Sequence, residues 1–147
     1  MSGKVFVDTN ILVYGRDLSE PEKQRQALAW MAYLWQRRTG RLSFQVLQEF
    51  YVTVTAKLRP GLEQEVARRD VRALLAWEPL VVNARVIEAA WELQDRYGLP
   101  WWDALIATAA QAARCRYLLT ENFQDRQNLG DLLIVNPFCQ SPESLEA

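Results

Sequence analysis

No histidine occurs among the 147 residues, and that absence closes much of the enzyme menu. Ser-His-Asp and Cys-His hydrolysis, His-ligated zinc and imidazole general-base catalysis are all excluded. Cysteine is scarce too. Cys115 and Cys139 form no C-x-x-C pair, and two lone thiols predict small core residues in a reducing cytoplasm. Neither G-x-x-x-x-G-K-[ST] nor G-x-G-x-x-G is present, so the usual phosphate-cradling loops of nucleotide enzymes are missing. Apolar runs fall short of the ~20 residues that a membrane span needs. The opening Met-Ser-Gly-Lys leads straight into a strand pattern, so no signal peptide is expected and a cytoplasmic location is predicted. Charge of one sign is lacking as well: 17 basic residues nearly cancel 18 acidic ones. That balance gives no support for a bulk polyanion-binding surface, yet a local basic patch can bind phosphates while acids gather at a metal.

What is present is an apolar half, with six tryptophans, which predicts a packed globule rather than a disordered chain. The length suits one domain over residues 1–147. Short apolar runs at 4–7, 41–44, 79–82, 117–120 and 132–135 read as strands, with helical periodicity between them. Pro21 opens a helix burying Leu28, Met31 and Trp35 beside Ala27, Trp30 and Leu34; Arg37 and Arg38 end it and Gly40 stops it. Further helices are expected over 45–58, 62–77 and 84–97, the last capped by Asn83, and over 100–113, which is apolar nearly all round and therefore buried. Continuous apolar strands alternating with helices predict a three-layer α/β/α fold with a central, mainly parallel sheet of about five strands. Residues 139–147 read as a flexible polar tail.

Without imidazole, chemistry falls to three acids far apart in sequence. Asp8 ends the first strand, where open parallel sheets bind ligands, although a carboxylate there also caps the following helix. Glu49 interrupts the apolar run from Phe44 to Tyr51; a helix so covered aims its one acid at a cleft or at solvent. Asp103 follows Pro100-Trp101-Trp102 and opens the buried helix. The helix dipole favours an acid there, but a buried carboxylate needs positive charge beside it. Carboxylates without imidazole suit a hard divalent cation, Mg²⁺ or Mn²⁺. Such an ion can orient a phosphate and acidify an attacking water, so in-line phosphodiester hydrolysis requires no histidine. Thr9 and Asn10 are natural in the polar turn after Asp8. The turn Thr120-Glu121-Asn122-Phe123-Gln124-Asp125 should reach the same sheet edge, where Asn122 could offer a carbonyl to a metal-bound water and Asp125 its charge; an ordinary polar turn is the competing reading. Arg16, Arg37, Arg38, Arg41 and Arg126 could bind RNA phosphates or be solvated surface charges.

Four segments together carry a resemblance: Val5 to Tyr14, Leu42 to Tyr51, Trp102 to Ala107 and Tyr117 to Asn122. In this order and spacing they resemble the PIN domain, and within it the VapC ribonuclease toxins of bacterial and archaeal toxin–antitoxin pairs. The resemblance covers essentially the whole chain. It implies a Mg²⁺- or Mn²⁺-dependent endoribonuclease whose acidic metal-binding core is Asp8, Glu49 and Asp103, supported by Thr9, Asn10, Ser43, Thr120 and Asn122. It further implies a homodimer and a small cognate antitoxin whose tail blocks the acidic pocket. The family often carries another acid two residues after the threonine; here that position is Asn122, and Asp125 is the candidate substitute as a metal ligand. Competing readings are a PIN-fold RNA-processing nuclease without an antitoxin and a catalytically silent PIN scaffold, the latter disfavoured by retention of all three acids. A haloacid-dehalogenase-type phosphotransferase would want an acid where Asn10 stands.

Overall fold

Val5, Phe6 and Val7 lie at the centre of the molecule and expose at most 1% of their surface, so the first strand is covered on both faces. The computed structural model describes residues 3–146. Strand β1 (Val5–Val7) leads through α1 (Thr9–Tyr14) and α2 (Pro21–Arg37) to β2 (Gly40–Arg41). Helices α3 (Phe44–Val52), α4 (Gln64–Leu74), α5 (Ala84–Tyr97) and α6 (Trp101–Ala112) follow. The chain then returns through β3 (Tyr117–Leu119), β4 (Asn128–Leu129) and β5 (Leu132–Val135). A single sheet results, in the order β2-β1-β3-β5-β4, parallel except for β4. From β1 the chain moves first to one neighbour, β2, and later to the other, β3. The carboxyl ends of β1 and β3 therefore flank a topological switch point, the usual ligand crevice of such sheets.

The sheet has the expected five strands but not the expected membership. Residues 79–82 contribute only an isolated parallel bridge between Leu80 and Ser43, with Leu80 N donating to Leu42 O at 3.0 Å. Val81 is 62% exposed and Asn83 already caps α5 with its side chain, so too little chain remains to extend the ladder. The fifth strand is β4, turned antiparallel onto β5 through Gly130, whose φ of 63° suits a residue without a Cβ.

Helix α2 buries Ala27, Trp30, Tyr33 and Leu34, whereas Leu28 and Trp35, expected inside, are 50% and 39% exposed. Both stripes obey the 3.6-residue period and lie about 100° apart on one helix, so periodicity alone cannot choose between them. Nor does Gly40 stop the helix. Arg38 takes the left-handed position (φ 59°) and its N–H bonds Leu34 O. Gly40 instead sits in β2, where a Cβ would come within 2.6 Å of the Trp77 ring.

The helix expected over 45–58 is α3 followed directly by a π-helical turn, Thr53–Lys57, and α4 runs on into a 3₁₀ turn, Leu75–Trp77. The end of the chain also departs from expectation. Pro142–Glu146 forms a 3₁₀ turn with Pro142 buried, and Arg37 pairs with Glu146 at 2.8 Å. Trp30 Nε1, at 3.2 Å from both Pro137 O and Gln140 O, ties the preceding segment to the core. Cys115 is buried, and burial pushes its thiol up to about 12; Cys139 is exposed rather than a core residue.

Candidate functional site

Asp8 extends the β1–β3 ladder by one bond, its N–H donating to Leu119 O at 3.0 Å, and then hands the chain to α1. Its Oδ1 accepts from Thr9 N at 2.7 Å and caps that helix. The other oxygen, Oδ2, accepts from Thr120 Oγ1 at 2.8 Å, across the switch point from the end of β3. Capping and a functional role therefore coexist, because each uses a different oxygen. Asp8 is 5% exposed, and its carboxyl is pushed up to about 6. Burial is the main cause; the hydrogen bonds from Thr120 and Thr9 oppose it, and the negative charges of Asp103 and Glu49 add to it.

Glu49 reaches the same place from the second turn of α3, a helix whose start is set by Ser43. That fully buried side chain accepts from Val46 N at 3.3 Å. Val46, Leu47 and Phe50 face inward and leave Glu49 half-buried at the edge of the covered face. Glu49 Oε1 accepts from Thr9 Oγ1 at 2.8 Å, and Oε2 accepts a long 3.3 Å bond from Gln45 Nε2. Asp103 occupies the first turn of α6, where the positive end of the helix dipole favours it. It is half-buried, and burial raises its pKa.

The three acids line one cleft of about 710 Å³, together with Thr9, Asn10, Asn122, Asp17, Lys57 and Trp102. None of Asp8, Glu49 and Asp103 forms an ion pair among the described residues. Asn10 has both side-chain polar atoms buried without a hydrogen-bond partner, a cost that a ligand or water in the cleft would remove. Acids without an ion-pair partner, oxygen donors beside them and an orphaned amide fit a hard divalent cation. No three acids among the described residues converge tightly enough to ligate one ion as they stand. Asp8 and Glu49 already accept hydrogen bonds on both oxygens, so an ion here would keep several waters, as Mg²⁺ commonly does.

Thr120 and Asn122 are placed as expected around Asp8: Thr120 Oγ1 donates to Asp8 and accepts from Asn122 N at 3.1 Å, and exposed Asn122 lines the cleft. Asp125 is not brought to it. Its Oδ1 accepts from Asn136 N at 2.8 Å and its Oδ2 from Gln140 Nε2 at 3.0 Å, so it braces the turn against the segment after β5. It is not among the residues that line the cleft, so its position gives no support to it as the substitute for the acid missing at Asn122. The arginines are also less free than the sequence suggests: Arg16 is paired with Asp70, Arg37 with Glu146 and Arg41 with Glu78. Sequence reasoning missed Lys57 and Trp102 in the cleft. Trp102 carried a signal, since it precedes Asp103 in the first turn of a helix that is buried from Ala104 to Ala110. Lys57 carried none.

A family model for the PIN domain matches residues 5–126, a span that contains every acid of the cleft. No curated protein sequence matches the chain significantly. Among solved structures, a toxin–antitoxin complex from Klebsiella pneumoniae is similar at 20% identity, covering 91% of this chain and 98% of that one, with a TM-score of 0.61. VapBC2 from Rickettsia felis, bound to a DNA fragment from their promoter, aligns at 21% identity over 88% and 96% of the two chains, TM-score 0.59. VapC20 from Mycobacterium tuberculosis, described as a Sarcin-Ricin loop cleaving toxin, aligns at 21% identity over 78% and 87%, TM-score 0.56. At such identities the likeness is one of fold.

Proposed function

This chain belongs to the PIN-domain family, and from that premise we propose that it is a Mg²⁺- or Mn²⁺-dependent endoribonuclease acting as the toxin of a toxin–antitoxin pair. The observation that carries the chemistry is the trio of acids without ion-pair partners sharing one cleft, with burial pushing the Asp8 carboxyl up to about 6. Repulsion from Asp103 and Glu49 contributes to that shift, and binding a cation would relieve it.

Asp8 and Asp103 would hold the ion, with Glu49 reaching it directly or through water. When bound there, a divalent cation supplies electrostatic stabilisation of the phosphate and acidifies water. The protein's own groups do the rest. Thr120 Oγ1 and Thr9 N fix the plane of the Asp8 carboxylate through two bonds of 2.8 and 2.7 Å. Thr9 Oγ1 holds Glu49 by one oxygen and leaves Oε2, engaged only by the long Gln45 contact, to accept the proton of the attacking water. Asn122, neutral where a fourth acid could stand, offers hydrogen bonds without adding to the repulsion.

The partners that go with this reading are RNA, a small cognate antitoxin and a second copy of the chain, in the cytoplasm. The antitoxin is supported by the Klebsiella neighbour's being a toxin–antitoxin complex. Cleavage of an unstructured oligoribonucleotide by the purified protein tests the chemistry. It should require Mg²⁺ or Mn²⁺ and stop in EDTA; undiminished cleavage in EDTA would overturn the mechanism. Relief of growth arrest by a small gene encoded beside this one would support the toxin role, and expression without any arrest would favour RNA processing.

A further inference from the structure

Five of the six tryptophans have partners within the fold. Trp30 Nε1 bonds Pro137 O and Gln140 O, Trp35 lies against Trp77 with ring centroids 5.1 Å apart, and Trp91 lies against Trp101 at 6.4 Å. Trp102 is the exception: its side chain has no hydrogen bond and no ring partner among the described residues, and it is 62% exposed. It lines the acid cleft and directly precedes Asp103 in the first turn of α6. From another element lining that cleft, the end of the π-helical turn Thr53–Lys57, comes exposed Lys57, which has no carboxylate partner among the described residues.

Resting on the ribonuclease reading, we propose that Trp102 is the platform on which one unpaired base of the RNA stacks beside the scissile phosphate, with Lys57 meeting the phosphate backbone. Acids that line a cleft repel a polyanion wherever no cation covers them, so groups that do not depend on the acids add to strand affinity. An exposed indole provides it, because every base presents a π-face and stacking tolerates sequence. A base inside a duplex already has neighbours on both faces and cannot use it. Trp102 thereby selects single-stranded segments, and the nucleotide it holds is one adjoining the bond that is cut. Trp102 is a specificity and positioning residue; the chemistry at the phosphate and the attacking water falls to Asp8, Glu49 and Asp103.

The test is steady-state cleavage of an unstructured oligoribonucleotide with Mn²⁺, using wild type, Trp102→Ala and Trp102→Phe, and a substrate series carrying one abasic position at a time. Trp102→Ala should raise KM roughly 5- to 100-fold, the range for loss of one stacked base, with kcat changed less than about threefold. Trp102→Phe should recover most of the affinity. One abasic position next to the cut should weaken wild type and leave Trp102→Ala indifferent, a coupling that a merely structural role would not produce. Trp102→Ala with an unchanged KM, or with the same abasic sensitivity as wild type, overturns the platform while leaving the ribonuclease reading intact. A change in oligomeric mass of Trp102→Ala reassigns the indole to a protein interface and overturns it equally. Should wild type cleave no RNA with either ion, the ribonuclease reading fails and the platform fails with it. If Trp102→Ala does not fold, Trp102→Phe and the abasic series on wild type decide.

Discussion

Two groups of carboxylates stand at the carboxyl edge of the same sheet, and the protein treats them in opposite ways. After β1, Asp8 is buried beside two other acids, with no cation, and is pushed up to about 6. After β3, Glu121 accepts from Tyr14 and pairs with Lys23 at 2.9 Å, and Asp125 gives both oxygens to Asn136 and Gln140. Lys23 also sits over the Tyr14 and Phe138 rings at 4.9 and 5.1 Å, which ties that corner together. The second group holds the fold. The first leaves charge uncompensated, and the fold tolerates it because surrounding contacts outweigh the cost. Position at a strand end does not separate the two kinds of acid, and neither do hydrogen bonds, which both receive; burial beside other acids does.

The contrast breaks most sharply at Asp8→Asn. Cleavage should fall at least about a thousandfold, since several kcal/mol of electrostatic stabilisation depend on this carboxylate. The metal-free variant should nevertheless be more stable than wild type at neutral pH. A carboxyl whose pKa rises from 3.8 to about 6 on folding binds its proton more tightly in the folded chain. Stability from this group is therefore fullest below pH 3.8 and declines as pH climbs to about 6, by about 3 kcal/mol in all. Urea unfolding in EDTA across that window should show the decline in wild type and its loss in Asp8→Asn. A variant less stable than wild type at pH 7 would mean that Asp8 is held for its cap and its Thr120 bond alone. Addition of Mg²⁺ at neutral pH should raise the wild-type midpoint and leave Asp8→Asn nearly unmoved.

Much of this was legible in the sequence, for a physical reason. Asp8, Glu49 and Asp103 each follow from a local conflict, an acid set in an apolar strand end, helix or buried helix start, and such conflicts mark function more often than chance. The choice of β4 over residues 79–82 was not legible, because both are short and only long-range pairing decides between them. Asp125 misled for a related reason. Its partners, Asn136 and Gln140, follow β5, the second of them within the chain end read as a flexible tail, and no pattern near Asp125 announces them. Lys57 was hidden because only the packing of α3 and its π-helical continuation puts it in the cleft.

A smaller effect is expected one bond away from the acid. Thr120→Val keeps the shape of a fully buried side chain and removes the hydroxyl that donates to Asp8 Oδ2 and accepts from Asn122 N. Losing an outer partner of a metal-binding carboxylate typically costs about 10- to 100-fold in metal affinity or activity. The Thr120 bond lowers the Asp8 pKa, so its loss should also shift the acid limb of the pH–rate profile upward. An unchanged profile would place the hydroxyl outside the site's electrostatics.

The smallest catalytic effect, and the one that tests the other half of the contrast, belongs to Asp125→Asn. Its carboxylate accepts one backbone and one side-chain hydrogen bond, and the amide can accept only from one of those donors at full strength. Stability should drop by about 1 kcal/mol, the usual net worth of a hydrogen bond, read as a lower urea midpoint. Cleavage rate and the Mg²⁺ concentration for half-maximal activity should stay within about twofold, because no atom of Asp125 lines the cleft. A weakened metal response at unchanged stability would reverse the assignment, making Asp125 a member of the site despite its bonds to Asn136 and Gln140. The two carboxylate variants thus predict opposite pairs of outcomes, Asp8→Asn inactive and stabilised, Asp125→Asn active and destabilised. Only charge buried beside like charges at one acid and ordinary bracing hydrogen bonds at the other produces both.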